Sequence, residues 1–204
     1  MAAPIPALAD RLRATRAMAL GPFYPVEKPS ETDPDLTRVL GQKDRARGEV
    51  VEVTGRVLTV DGSPIPGAKI EIWQANAAGR YHHHADDNVR APIDAGFQGY
   101  ARFESDAAGR YRFLTVRPAP YPAGDYMRAA HIHFDVAGKY QRLITQMYFP
   151  ADAAMFRQDS VFLKDVGGQM DTYPPEVFGR LTPGGSTLEK GAMLCEWDIV
   201  LWAG

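Results

Sequence analysis

The chain has a single cysteine, Cys195, in its 204 residues. No internal disulfide can form, a thiolate metal cluster is excluded, and a reducing, cytoplasmic setting is expected. Cys195 lies in the strand-like run AMLCEWDIVLW and reads as core packing rather than as a nucleophile. No apolar run is long enough for a membrane helix. The first residues, MAAPIPALADRLRATRAMALG, carry arginines but lack the uninterrupted apolar stretch of a signal peptide. Nor is there an excess of positive charge. Lys and Arg number 23 against 25 Asp and Glu, for a formal charge of −2. No basic stripe marks a nucleic-acid partner.

Helix signals are also few. Residues 7–20 allow one short amphipathic helix, and ADAAMF and PEVFGRL allow short helical pieces further on. Residues 26–48 are polar and rich in turn formers, as in an extended arm. From Val50 onward, alternation and β-branched residues dominate. VVEVTGRVLTV and AKIEIWQ are expected to pair as a hairpin through Asp61-Gly62. GYARFES, RYRFLTV, AHIHFDV, QRLITQMYF and AMLCEWDIVLW read as further strands. Hydrophobic residues at 45% and charged residues at 24% suit an ordinary globular protein. The expectation is a mainly β fold, an antiparallel β-sandwich of immunoglobulin-like or transthyretin-like type with few short helices. Residues 1–48 would form an arm on the core and 49–204 the sandwich, with no linker between them.

Within AHIHFDV, His131 and His133 are two residues apart, so on a strand they share a face, about 6.5–7 Å apart. Ile132, Phe134 and Val136 take the opposite, apolar face. The pair reads as half a metal site or as a polar strand face turned to solvent. Several groups compete to complete such a site. The triplet His82, His83 and His84 offers a third imidazole, although neighbouring strand residues alternate in direction. Asp125 or Asp135 would suit a two-histidine, one-carboxylate centre. Tyr81, and Tyr121 in PAPYP, are phenols. Holding a phenol with a pKa near 10 as phenolate at pH 7 costs about 4 kcal/mol, which a trivalent cation can offset. The pentapeptide AAGRY occurs twice, at 77–81 and 107–111, and the repeat itself does not say which tyrosine does more than pack.

The order GPFYP (21–25), GRVLTVDGSPIPGAKIEIWQANAAGRYHH (55–83), FQGYARFESDAAGRYRF (97–113), RPAPYP (117–122), RAAHIHF (128–134) and ITQMYF (144–149) resembles the intradiol ring-cleaving dioxygenases. It is especially similar to the iron-bearing β-type subunits of the protocatechuate 3,4-dioxygenases. The resemblance implies a β-sandwich holding non-haem Fe(III) through Tyr81, Tyr121, His131 and His133, with Tyr121 the phenolate that leaves when substrate binds. Tyr111, in the second AAGRY, matches a non-ligand position. Arg128 resembles the residue that offsets charge on the substrate, Gln146 a pocket glutamine near it, and Trp73 and Tyr24 residues lining the pocket. The substrate implied is a small aromatic diol, cleaved with O2 between its hydroxyl-bearing carbons to a cis,cis-muconate.

Departures from the β-type pattern bear on the substrate. The stretch from Tyr121 to His131 is a few residues shorter, and Ala123 stands where a tryptophan is expected. GPFYP is reminiscent of the catechol and hydroxyquinol 1,2-dioxygenases, whose longer helical N-terminal region has little room here. A protocatechuate-like or otherwise substituted catechol is therefore expected, with catechol or hydroxyquinol as the alternative. A homo-oligomer, or an assembly with a companion α-type chain, is the implied partnership. A transthyretin-like binding module without iron is the competing class.

Overall fold

The computed structural model describes residues 11–150, 153–167 and 173–203. The β-branched run from Val50 forms the long strand β1 (Val50–Thr59). Along one edge of β1 runs β4 (Arg110–Val116), antiparallel, with Val53 opposite Phe113. Two parallel pieces, β10 (Met193–Glu196) and β11 (Ile199–Leu201), also pair with β1, and β9 (Arg180–Thr182) flanks β10. The second sheet has the order β3 (Tyr100–Glu104), β2 (Lys69–Trp73), β7 (His131–Ala137), β8 (Arg142–Tyr148), all antiparallel. A small hairpin, β5 (Tyr121–Ala123) with β6 (Tyr126–Arg128), stands apart.

The alternation of apolar residues predicts which face each strand buries, and the core follows it. Val51, Val53, Phe113, Cys195, Ile199 and Leu201 from the first sheet meet Ile70, Ile72, Ile132, Phe134, Val136 and Met147 from the second. Cys195 is fully buried there, as expected of a packing residue. The other face of β7 carries His131, His133 and Asp135, so the site lies on the outer surface of the second sheet.

Four expectations are revised. Residues 11–20 are not helical; those at 7–10 fall outside the described residues. This segment is an extended strap whose amides bond three different elements: Leu12 N to Val60 O, Thr15 N to Val200 O and Met18 N to Ile144 O. It shields the edge strand β8, and among residues 11–20 only Met18 is buried, so there is no apolar stripe to hold a helix. The chain does fold back at Asp61-Gly62, with Ile65 N donating to Val57 O, but β1 and β2 end in different sheets. Pro64 and Pro66 remove two ladder donors, and both edges of β1 are taken. The last strand is interrupted at Trp197-Asp198, where Trp197 N donates to Thr54 O and Asp198 accepts from Arg56 N. Gly55 permits this approach, since a Cβ there would lie 1.8 Å from Trp197 O. PEVFGRL gives only a short 3-10 turn, Pro175–Val177, before β9.

ADAAMF contributes to α1 (Ala153–Gln158), Ala151 and Asp152 lying outside the described residues. A second helix, α2 (Ser160–Val166), begins at the N-cap Asp159 and ends at Gly167 in the left-handed conformation. Among the described residues no helix is long and apolar enough to cross a membrane.

Candidate active site

Strand register sets the floor of the site. Trp73 on β2 and Gln146 on β8 are both opposite His133, and Tyr148 is opposite His131. Directly paired residues share a face, so these side chains rise together from one patch of sheet. Tyr81 arrives from the loop after β2. Asn76 shapes that loop, its Oδ1 accepting from Ala78 N and Arg80 N, while Asp86 accepts from Tyr81 N at 2.6 Å. Gly79 has φ +80°, and a Cβ on it would lie 2.8 Å from Pro120 O and 3.2 Å from the Tyr121 Cβ. The glycine thus lets the Tyr81 loop close against the strand bearing Tyr121. The two phenol rings meet edge to face, centroids 5.5 Å apart.

The donor atoms converge. His131 Nδ1 donates to Ala129 O at 2.6 Å, and because a carbonyl only accepts, the proton is on Nδ1. The Nε2 lone pair then faces His133 Nε2 at 3.1 Å and the Tyr81 hydroxyl at 3.5 Å. His133 lies flat on Trp73, 4.8 Å away and 4° from parallel, and its buried Nδ1 has no hydrogen-bond partner among the described residues. Gly21 covers the ring from the other segment, where a Cβ would come within 3.0 Å of Cε1.

Burial, then Arg128 and His133, push His131 well below the usual imidazole range; burial and Arg128 do the same to His133. Burial, then neighbouring Tyr121, raises Tyr81 well above an ordinary phenol. Tyr121 is raised too, chiefly by burial, with Arg128 and Tyr81 pulling the other way. Both imidazoles are therefore neutral, and each phenol must lose a proton before it can ligate. Among the described residues no three His, Cys, Asp or Glu side chains converge on a metal position, and the phenols are the oxygen donors that lie beside the two imidazoles. Imidazole nitrogens with phenolate oxygens suit Fe(III), and the residues present fit that ion.

Arg128, at the end of β6, borders this cluster. Its Nε donates to Asp159 Oδ2 at 3.1 Å, and its Nη2 donates to Gln146 Oε1 at 2.7 Å and Tyr148 Oη at 3.0 Å. Burial opposes its charge, but Tyr148, Tyr121 and Asp159 outweigh burial and raise its pKa further. Gln146 is itself tied to the strap, donating to Ala19 O at 2.6 Å.

Tyr24 packs edge-on against Trp73, and its hydroxyl bonds Glu71 at 2.8 Å beside Lys28. Its neighbour Phe23, which the sequence did not single out, lies over Tyr81 at 4.7 Å and Tyr121 at 6.2 Å. The carboxylate alternatives are not brought in: Asp135 holds Arg142 at 2.8 Å, and Asp125 is exposed. Of the histidine triplet, His82 and His84 are exposed, and His83 accepts from Ala85 N while stacking on His84. Asp159 and Tyr148 were also missed. Asp159 ahead of SVFL is a legible helix cap, but nothing local links it to Arg128, 31 residues away.

Residues 20–201 match the family model described as Dioxygenase. The chain is 41% identical over 204 residues to the protocatechuate 3,4-dioxygenase beta chain of Burkholderia cepacia, covering 97% of this chain and 82% of that one. It is 33% identical over 211 residues to the hydroxyquinol 1,2-dioxygenase of Rhodococcus opacus, covering 92% of this chain but only 64% of that longer protein. The crystal structure of hydroxyquinol 1,2-dioxygenase from Pseudomonas putida DLL-E4 shares the fold, with a TM-score of 0.69 at 21% identity over 94% of this chain and 67% of that one. The sandwich and these similarities agree, and the chain belongs to the intradiol ring-cleaving dioxygenase family.

Proposed function

We propose that the protein is a non-haem Fe(III) dioxygenase that opens a protocatechuate-like or other substituted catechol between its two hydroxyl-bearing carbons, giving a cis,cis-muconate. The observation that carries this reading is that Tyr81 Oη and His133 Nε2 both lie within 3.5 Å of His131 Nε2, with the Tyr121 ring against Tyr81 and Arg128 paired beside Tyr121. Fe(III) held by Tyr81, Tyr121, His131 and His133 would supply the Lewis acid and redox centre that brings diol and O2 together. The chain's own groups do the rest. The Tyr121 oxygen, whose burial favours its protonated form, would be one of the groups holding Fe(III) and the one placed to accept a proton from a substrate hydroxyl. Arg128, itself buried, offsets negative charge that develops on the ring. Trp73 holds the plane of His133, and Phe23 covers the two phenols from solvent.

The 41% identity to a protocatechuate enzyme supports a substituted catechol, and the 33% identity to a hydroxyquinol enzyme supports the second reading, a 1,2-dioxygenase. Oxygen uptake by the iron-loaded protein, measured across protocatechuate, catechol, hydroxyquinol and pyrogallol-type compounds, separates them by kcat/KM. Phenolate-to-Fe(III) charge transfer should colour the protein red-brown. A preparation that stays colourless after iron loading would sink the reading. The beta-chain relative also supports an oligomer, of this chain alone or with an α-type companion, which a mass measurement in solution tests.

A further inference from the structure

A guanidinium offsets charge on a substrate only if it is held where that charge appears. Arg128 is tied along two of its three edges. Asp159 takes Nε, while Gln146 and Tyr148 take Nη2, and Nη1 makes no hydrogen bond among the described residues. Asp159 is itself anchored on both carboxylate oxygens. It is fully buried, its Oδ2 also accepts from Ala129 N at 2.9 Å, and its Oδ1 accepts from Phe162 N at 2.9 Å. Among the described residues, each hydrogen bond to its carboxylate comes from a donor, Arg128 Nε, Ala129 N or Phe162 N, so both oxygens accept. An asparagine would have to aim its NH2 at one of those donors.

We propose that Asp159 is the positioning residue for Arg128, a carboxylate fixed by α2 and the Ala129 backbone that holds the guanidinium so that Nη1 points toward the substrate. This deepens the dioxygenase reading and rests on it. Asp159→Asn should keep iron and colour while kcat per bound iron falls about 100-fold, the scale of a 1 Å misplacement, with KM little changed. Added to Arg128→Leu, the same change should cost nothing further, because the group it positions is gone. Wild-type kcat in Asp159→Asn, or losses that multiply in the double variant, would overturn the proposal.

Should Asp159→Asn fail to fold, the double variant decides. If it folds and takes up iron, the single variant failed because Arg128 was left buried and unpaired, as proposed. If it is equally unfolded, Asp159 serves only the helix cap and the proposal falls. A wild-type protein inactive on every diol would instead remove the dioxygenase reading. Thermal unfolding of the same four proteins would still report whether Arg128 and Asp159 act as a unit: coupling upholds the clamp, and additivity overturns it.

Discussion

The two AAGRY segments build the same turn and send their tyrosines to different chemistry. In the first, Asn76 Oδ1 accepts from Ala78 N and Arg80 N; in the second, Asp106 Oδ1 accepts from Ala108 N and Arg110 N. Gly79 and Gly109 both sit at positive φ, +80° and +71°. Beyond the turn they part. Tyr111 enters β4, is laddered to β1 opposite Gly55, and its hydroxyl donates a hydrogen bond to Trp197 O at 2.6 Å. Tyr81 enters no strand and reaches the imidazoles of β7. Burial raises both phenols well above the ordinary value, so burial does not distinguish them. What differs is the facing group: one carbonyl that satisfies the single proton of Tyr111, against an imidazole nitrogen lone pair and a second phenol around Tyr81.

The sharpest way to break this comparison is to remove each hydroxyl in turn. Tyr81→Phe should abolish detectable turnover and shed most of the iron, read by metal analysis and by loss of the visible band. Tyr111→Phe should leave both untouched. Full iron in Tyr81→Phe would end the proposed ligand assignment. Next in size is Arg128→Leu. The cation lowers the proton affinity of Tyr121 and Tyr81 but is not among the groups acting on Tyr111. Iron should remain bound while kcat falls about 10²–10³-fold, the scale of losing one charge-stabilising donor. Unchanged turnover would remove Arg128 from the chemistry.

Much of this was legible in the chain, for identifiable reasons. A period of two fixes which residues share a face, so the His131 and His133 pairing, the apolar Ile132 and Phe134, and the core role of Cys195 all follow from local pattern. Period says nothing about which strand lies alongside. VVEVTGRVLTV and AKIEIWQ therefore looked like hairpin partners, although they belong to different sheets. The strap at 11–20 takes its conformation from the carbonyls of Val60, Val200 and Ile144, which no local window contains. Asp159 is likewise defined by groups far along the chain. The pentapeptide repeat could not separate Tyr81 from Tyr111, since the five residues and their turn are the same; the motifs around them raised that distinction.

Smaller effects should come from the turns themselves. An alanine at Gly79 or Gly109 adopts a positive φ at a cost of about 1–3 kcal/mol. Each new Cβ also meets a carbonyl, Pro120 O at 2.8 Å or Val57 O at 2.7 Å. Both variants should therefore melt lower in a thermal scan. Only Gly79→Ala should also weaken iron retention, because it parts the Tyr81 loop from Tyr121. Equal iron loss in both would mean that the turns report general stability rather than site geometry.

The smallest change expected is the stability cost of Tyr111→Phe. The lost hydroxyl serves a carbonyl at the break between β10 and β11, where Trp197 O also crowds Gly55. Phenylalanine keeps the ring against Phe103, Phe113 and Phe134 and removes only the hydrogen bond. A net hydrogen bond is worth about 1 kcal/mol, somewhat more when a buried acceptor is left without a donor. For a chain of this size that lowers Tm by about 2–4 °C. A scan of the iron-loaded variant measures the shift, and its colour and kcat provide the control. A drop of that size with colour and turnover unchanged is what a packing tyrosine should give. A loss of iron without a change in Tm would put Tyr111 in communication with the site and erase the distinction between the two copies.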